Sequence, residues 1–311
     1  MTTVDLSDLL QVLDDRVKDE IASKPSVEDV GHDLDIKDLP IEARKWLKVT
    51  DVVAVVADLK NSTLLGTGKH AASTASIYEA STGSVVSIFD KFEADFLAIQ
   101  GDGVFALFWG DNRVQRAMCA GITIQTFSKD SLIERLEDKW PDGVKTGYKI
   151  GVARSRVLVK RVGTPRNLAQ QEPIWAGRAV NFATKAAQSA DRGQLVVTGD
   201  VWDSIEKNDY VALSCPCGGS EGSGPSDTIW DDFTIDRLPD DEPDRLGRVL
   251  TSQWCPAHGA EYCTAILNGE KRRDDVTEAR KVLESKHRDE SLFAIHQRRR
   301  RDRRAHLRGL T

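Results

Sequence analysis

The chain has 311 residues, 40% of them hydrophobic and 30% charged, and a formal net charge of −6. This is the composition of an ordinary folded protein, too acidic overall for one that coats nucleic acid, and it gives room for one large domain with appendages. No apolar run is long enough to span a bilayer, the acidic start MTTVDLSDLL lacks the basic-then-apolar order of a secretion signal, and five cysteines do not describe a disulfide framework. The expectation is a cytoplasmic protein with no membrane insertion and no stable nucleic-acid partner.

In chain order, Leu6, Leu9, Leu10, Leu13, Val17 and Ile21 recur at helical spacing, which predicts an amphipathic helix in need of a partner surface. A polar linker, KPSVEDVGHDLDIKDLP, leads to a short predicted helix around 41–49. The run VVAVVAD, 52–58, suits a strand buried on both faces. A helix is predicted across 75–94, with Val85, Val86, Phe89 and Phe92 on one side. DFLAIQGDGVFALFWG, 95–110, reads as two strands joined by a tight Gly-Asp-Gly turn. A helix follows at 112–128, then GYKIGVARSRVLVKRVG, 147–163, as a strand pair with a polar turn that holds Arg156. WAGRAVNFATKAAQSA, 175–190, reads as a helix, and 194–205 as a strand with a short helical turn. The order β-α-β-β-α-β-β-α-β is that of an α+β sandwich with a mainly antiparallel sheet.

Three groups of residues stand out for chemistry. Asp58 ends a buried strand, where a carboxylate must either cap a turn or meet a cation. Asp102 sits at the tip of the hairpin, and if the two strands are neighbours the carboxylates share one sheet edge, a seat for Mg²⁺ or Mn²⁺. Asn181 and Lys185 are four apart on one helix face, either a solvated pair or a holder of sugar and phosphate. Arg156 is a further phosphate ligand or a solvated turn residue.

Together, VVADLKNST, IQGDGVFALF, IGVARSRVLVKRVG and GRAVNFATKAA resemble, in order, the motifs of the class III nucleotide cyclase catalytic domain, over roughly residues 48 to 205. The resemblance implies a ferredoxin-like βαββαβ core, with helical N- and C-terminal extensions. It implies that Asp58 and Asp102 hold two Mn²⁺ or Mg²⁺ ions with help from the Leu59 carbonyl. It also implies that Arg156 and Lys185 bind phosphate and that Asn181 orients the ribose. The site of such an enzyme is shared between subunits, so a head-to-tail homodimer is expected. The corresponding partition is an N-terminal helical extension at 1–47, a catalytic domain with C-terminal elaboration at 48–268 and a basic helical tail at 269–311.

Two positions depart from the purine cyclases. Ala98 stands four residues before Asp102, where a Lys or Glu is usual, and Ile174 or Trp175 falls near the second base-reading position. Loss of both hydrogen-bonding groups changes base choice, because buried polar edges are rejected when left unpaired. Lys185 stands where arginine is common, giving a point charge in place of a two-pronged clamp. The pattern is similar to the bacterial Pycsar pyrimidine cyclases, which implies a cyclic UMP or cyclic CMP product used in antiphage signalling and sensed by a separate effector protein. That resemblance favours UTP over CTP; adenylate cyclase and a catalytically silent nucleotide-binding module are the rival readings.

Outside these motifs, Cys215 and Cys217 in CPC, and Cys255, His258 and Cys263 in CPAHGAEYC, either bind a structural zinc or are unrelated thiols. The arginine-rich run near the C-terminus is either a solvated, acid-paired helix or a nucleic-acid contact.

Overall fold

The computed structural model describes residues 5–41, 44–164, 167–217, 227–252 and 254–282, with short pieces between 285 and 297. The arginine-rich run lies outside the described residues. Two compact units form, one from Met1–Trp202 with Asp232–Val249 and one from Asp203–Asp231 with Leu250–Thr311.

The first unit begins with helix α1 (Leu6–Ala22), started by Asp5, whose carboxylate accepts from the Ser7 and Asp8 amides. Its apolar stripe remains exposed among the described residues; Leu6, Leu10, Val17 and Ile21 are each more than half accessible. The expected polar linker carries a strand, β1 (Ser26–Gly31), paired in parallel with β2 (Lys45–Leu59). The short helix expected around 41–49 is therefore replaced by the first half of β2. Trp46, Leu47 and Val49 suit a strand that has a neighbour on each side, and tertiary pairing overrides the local helical spacing.

Helices α2 (Ala71–Tyr78) and α3 (Ser84–Lys91) are joined by a π turn, and the hairpin β3 (Phe96–Gln100) and β4 (Gly103–Phe108) follows as expected. Next come α4 (Arg113–Phe127), α5 (Glu134–Lys139) and β5 (Tyr148–Gly163). Here the second expected hairpin is corrected. Residues 148–163 form one unbroken strand, and its antiparallel partner is β6 (Gln171–Gly177). The polar stretch Arg154–Arg156 is no turn, because its side chains have structural partners. Arg154 grips Asp51 of β2 at 2.7 and 2.8 Å, and the Ser155 hydroxyl accepts the Ala179 amide at 2.8 Å. The expected helix at 175–190 correspondingly starts later, as α6 (Arg178–Ser189).

Strand β7 (Gln194–Val197), α7 (Gly199–Ile205), α8 (Asp209–Ala212), β8 (Trp230–Thr234), β9 (Leu246–Leu250) and α9 (Pro256–Leu267) complete the described elements. The sheet runs β3-β4-β2-β5-β7-β9-β8, with β1 beside the first half of β2 and β6 beside the second half of β5. It is mainly antiparallel, with helices packed on both faces.

The two long strands are its spine. Along β2, Val52, Ala54 and Val56 join the core cluster of the α6 face, while Val53 and Val55 point the other way and are equally buried. Gly151 of β5 lets α6 approach: a Cβ there would lie 2.0 Å from the Ala183 carbonyl oxygen. The small residues Ala179, Ala183, Ala186 and Ala187 form the buried stripe of α6. Among the described residues no helix is long and apolar enough to cross a membrane.

Candidate active site

Period-two alternation puts Asp58 on the face of Ala54 and Val56, toward α6, at the point where β4 pairing stops after Ala57 and Val104. Its cross-strand neighbour on β5 is Lys149, whose Nζ lies 2.6 Å from Asp58 Oδ2. Lys149 escapes a sequence reading because the pair spans two strands far apart in the chain. Leu59, with a buried side chain, ends β2 opposite Tyr148.

The hairpin tip comes to the same edge. Gln100 and Gly103 pair across a two-residue loop in which Gly101 has φ of +66°, the left-handed conformation that glycine adopts without strain. A Cβ on Gly103 would stand 3.7 Å from Asp58 Oδ1, so Asp58 and the residue bearing the tip are in contact range. Asp102 Oδ2 is buried and has no hydrogen-bond partner. Burial pushes the Tyr148 phenol up to about 12, and the carboxylates of Asp102 and Asp58 add to the rise. Two carboxylates and a strand-end carbonyl at one edge form a set of hard oxygen donors. A buried acceptor with no donor is what a cation would complete, so the residues fit Mg²⁺ or Mn²⁺.

Beside this edge lies a cavity of about 290 Å³ between the sheet, β6 and α6, lined by Asp58, Phe105, Trp175, Val180, Thr184 and Gln188 among others. Ala98 pairs with Phe105 across the hairpin and offers no polar group to it. Of the two candidates near the second base-reading position, Ile174 is exposed, whereas Trp175 lines the cavity. Trp175 packs against Phe96 and Trp109 at ring distances of 5.0 and 5.6 Å, and its Nε1 is buried without a hydrogen-bond partner. That position therefore keeps a donor, a refinement of the expectation that both had lost theirs.

The remaining expected residues gather elsewhere. Asn181 donates from Nδ2 to the Gly177 carbonyl at 3.2 Å, in the first turn of α6. Gly177 lines a second cleft, of about 670 Å³, together with Arg156, Lys48 and Arg178. Arg156 thus projects from the middle of a strand into a basic cleft, not from a turn. Arg178 pairs with Glu242 at 3.1 Å and Lys48 with Asp29 at 2.5 Å, and neither was visible as a site residue in the sequence. Lys185 follows Asn181 by one helical turn and is half-buried. Asn181 and Lys185 are not among the residues lining the Asp58 cavity; Val180, Thr184 and Gln188, displaced around the same helix, are. Each chain therefore presents two groups, Asp58, Leu59 and Asp102 with Lys149 at one edge, and Arg156 with Asn181 around the start of α6.

Comparison with known proteins agrees with this architecture. No protein-family model matches the chain. The chain is 60% identical over 280 residues to the uridylate cyclase of Micromonospora echinofusca, covering 90% of each chain. It is 48% identical over 272 residues to that of Propioniciclava tarda, covering 86% of each. Among solved structures it is similar to the adenylyl cyclase CyaB from P. aeruginosa, with a TM-score of 0.51 and 15% identity over 66% of this chain and 96% of that one. A class III adenylyl cyclase-like ATP-binding protein from Pseudomonas aeruginosa gives the same TM-score at 17% identity, over 65% of this chain and 46% of that one. The chain belongs to the uridylate cyclase family and is a nucleotide cyclase built on the class III fold.

Proposed function

We propose that the protein converts UTP to 3′,5′-cyclic UMP and pyrophosphate in the cytoplasm. The observation that carries this reading is the meeting of Asp58 with the Asp102 hairpin, in a chain that matches a uridylate cyclase over 90% of its length. The reaction is an intramolecular phosphoryl transfer, in which the ribose 3′-oxygen attacks the α-phosphorus and pyrophosphate leaves. Asp58, Asp102 and the Leu59 carbonyl would hold two Mg²⁺ or Mn²⁺ ions, which supply Lewis-acid activation of the 3′-hydroxyl and neutralise phosphate charge. Lys149 holds the Asp58 carboxylate in place. Arg156 and Lys185 bind phosphate oxygens, and Asn181 orients the ribose for in-line attack. Ala98 withholds the polar reader a purine edge needs, which favours the smaller base.

Because Asn181 and Lys185 lie outside the Asp58 cavity, we infer a head-to-tail homodimer in which one chain supplies the carboxylates and the other supplies α6. Asp58→Ala and Asn181→Ala chains, each inactive alone, should regain activity when mixed. A mixture that dimerises and stays inactive would rule out shared sites. Substrate choice is tested by incubation with each of the four nucleoside triphosphates and Mn²⁺, scoring pyrophosphate and cyclic product. Cyclic UMP as the main product is expected, and cyclic CMP, AMP or GMP in its place would refute the UTP assignment. We take the product to be a second messenger of antiphage defence, sensed by a separate effector protein. Phage challenge of cells carrying the Asp58→Ala chain tests this, with loss of protection expected.

A further inference from the structure

The second unit holds a side-chain cluster that the cyclase reaction does not use. Of the five residues singled out in the sequence, four converge: Cys215, Cys217, Cys255 and His258 place their donor atoms within 4.8 Å of one another, and Cys263 is not among them. Cys217 Sγ lies 3.5 Å from Cys255 Sγ and 2.9 Å from His258 Nδ1, and Cys255 Sγ lies 3.2 Å from His258 Nδ1. A tetrahedral zinc with ordinary bond lengths needs edges of about 3.8 Å between sulfurs and about 3.6 Å between sulfur and nitrogen. The observed edges are close to these values and slightly shorter. A disulfide would need about 2.05 Å between sulfurs.

We propose that Cys215, Cys217, Cys255 and His258 form a structural zinc site that staples the 213–217 segment to the first turn of α9.

The local architecture serves that role from both sides. Cys255 is the N-cap of α9, and its sulfur accepts the His258 amide at 3.4 Å. A thiolate is favoured there by the helix dipole. Pro256 at the first helical position fixes the turn that brings Cys255 and His258 to the same side. The His258 ring packs against Tyr262, one turn on, at a centroid distance of 5.6 Å, which limits its rotation. On the other strand of the staple, Cys215 is buried and Cys217 exposed, so Pro216 bridges from the interior of the unit to its surface. Four protein donors leave no open position for a substrate, which marks the site as structural and not catalytic. Three sulfurs and one imidazole are a soft donor set that selects zinc over Mg²⁺ or Ca²⁺. The need is also physical. This unit is assembled from two separate stretches of chain, and a small core gains most from a cross-link between them.

The test uses the full chain, purified without a polyhistidine tag under reducing conditions and dialysed against metal-free buffer. Elemental analysis should find one zinc per chain, retained in Cys263→Ser and lost in Cys217→Ser. Cys217→His should recover it, since imidazole replaces thiolate in tetrahedral sites. Cobalt exchanged into the wild-type chain should give the visible absorption of a tetrahedral thiolate site, a readout independent of any variant's folding. The proposal is overturned if wild-type protein holds no zinc and develops no such absorption. It is equally overturned if Cys217→Ser and His258→Ala keep a full equivalent, or if the unreduced chain is two hydrogens light from a Cys217–Cys255 disulfide.

Discussion

Gly151→Ala tests how tightly α6, the helix that carries Asn181 and Lys185, is seated. The new Cβ would fall 2.0 Å from the Ala183 oxygen and 2.4 Å from the Ala187 nitrogen, both backbone atoms that cannot rotate away. Ordinary contact begins near 3.4 Å, so α6 must rise by about 1.4 Å or the β5 spine must bend. Overpacking of this kind costs roughly 1–3 kcal/mol, and rigid backbone on both sides argues for the upper end. In a unit of this size each kcal/mol lowers Tm by about 2–4 °C, which gives a fall of roughly 6–12 °C. Asn181 and Lys185 ride on α6, and a misplacement near 1 Å costs on the order of 10²-fold in rate. Thermal melts and pyrophosphate release from UTP measure the two effects. Gly121→Ala is the control, since the one close approach of its Cβ would be to the movable end of Leu195, at 2.8 Å, with Val152 at an ordinary 3.7 Å, and both effects should be smaller. Unchanged Tm and turnover in Gly151→Ala would refute the argument that the strand glycine sets the height of the helix.

Asp102→Asn should lower cyclase activity by on the order of 10²-fold or more while Tm holds or rises, because a buried acceptor without a partner destabilises the fold; a large fall in Tm would contradict a metal-binding role. Asp51 behaves in the opposite way. Burial alone would raise its pKa, yet hydrogen bonds from Arg154 and Arg113 hold it at about 2. Its contribution is thus fully present above the unfolded value of 3.8 and is lost as pH falls through about 2, worth about 2 kcal/mol. Acid melts of wild type and Asp51→Asn should converge below that range. Gly101→Ala should cost about 1–2 kcal/mol from its positive φ alone, since the site around it is open; chemical denaturation reads this directly.

The candidate site was more legible in the sequence than the strands that carry it. Asp58 and Asp102 are visible because each breaks an apolar run at a strand end, where a carboxylate needs a reason. Lys149 was not visible: nothing local distinguishes it, and its meaning comes only from the register that sets it opposite Asp58. The misplaced second hairpin has a clearer lesson. Arg154, Ser155 and Arg156 are polar but are not turn-formers, whereas Gly163, Thr164, Pro165 and Asn167 are, and weighing turn chemistry over polarity would have placed the loop between β5 and β6. The strand at 26–31 was hidden because most of its residues are exposed on both faces, and a strand without a buried face has no apolar alternation to find. The cysteine cluster lies between these cases: its residue types were apparent, and only folding could choose four donors out of five.

Strand β5 also acts as a ruler. Lys149, beside Asp58, and Arg156 stand seven residues apart on it, a span of roughly 23 Å in extended chain. One phosphate group cannot touch both ends of such a span. Loop motions cannot shorten it either, because β2 pairs along the strand from Tyr148 to Val159. If the site is shared between two chains as proposed, turnover per chain should follow the encounter of two molecules, rising in proportion to concentration when chains are scarce and levelling once they are abundant. Expression level itself would then set a threshold for product formation.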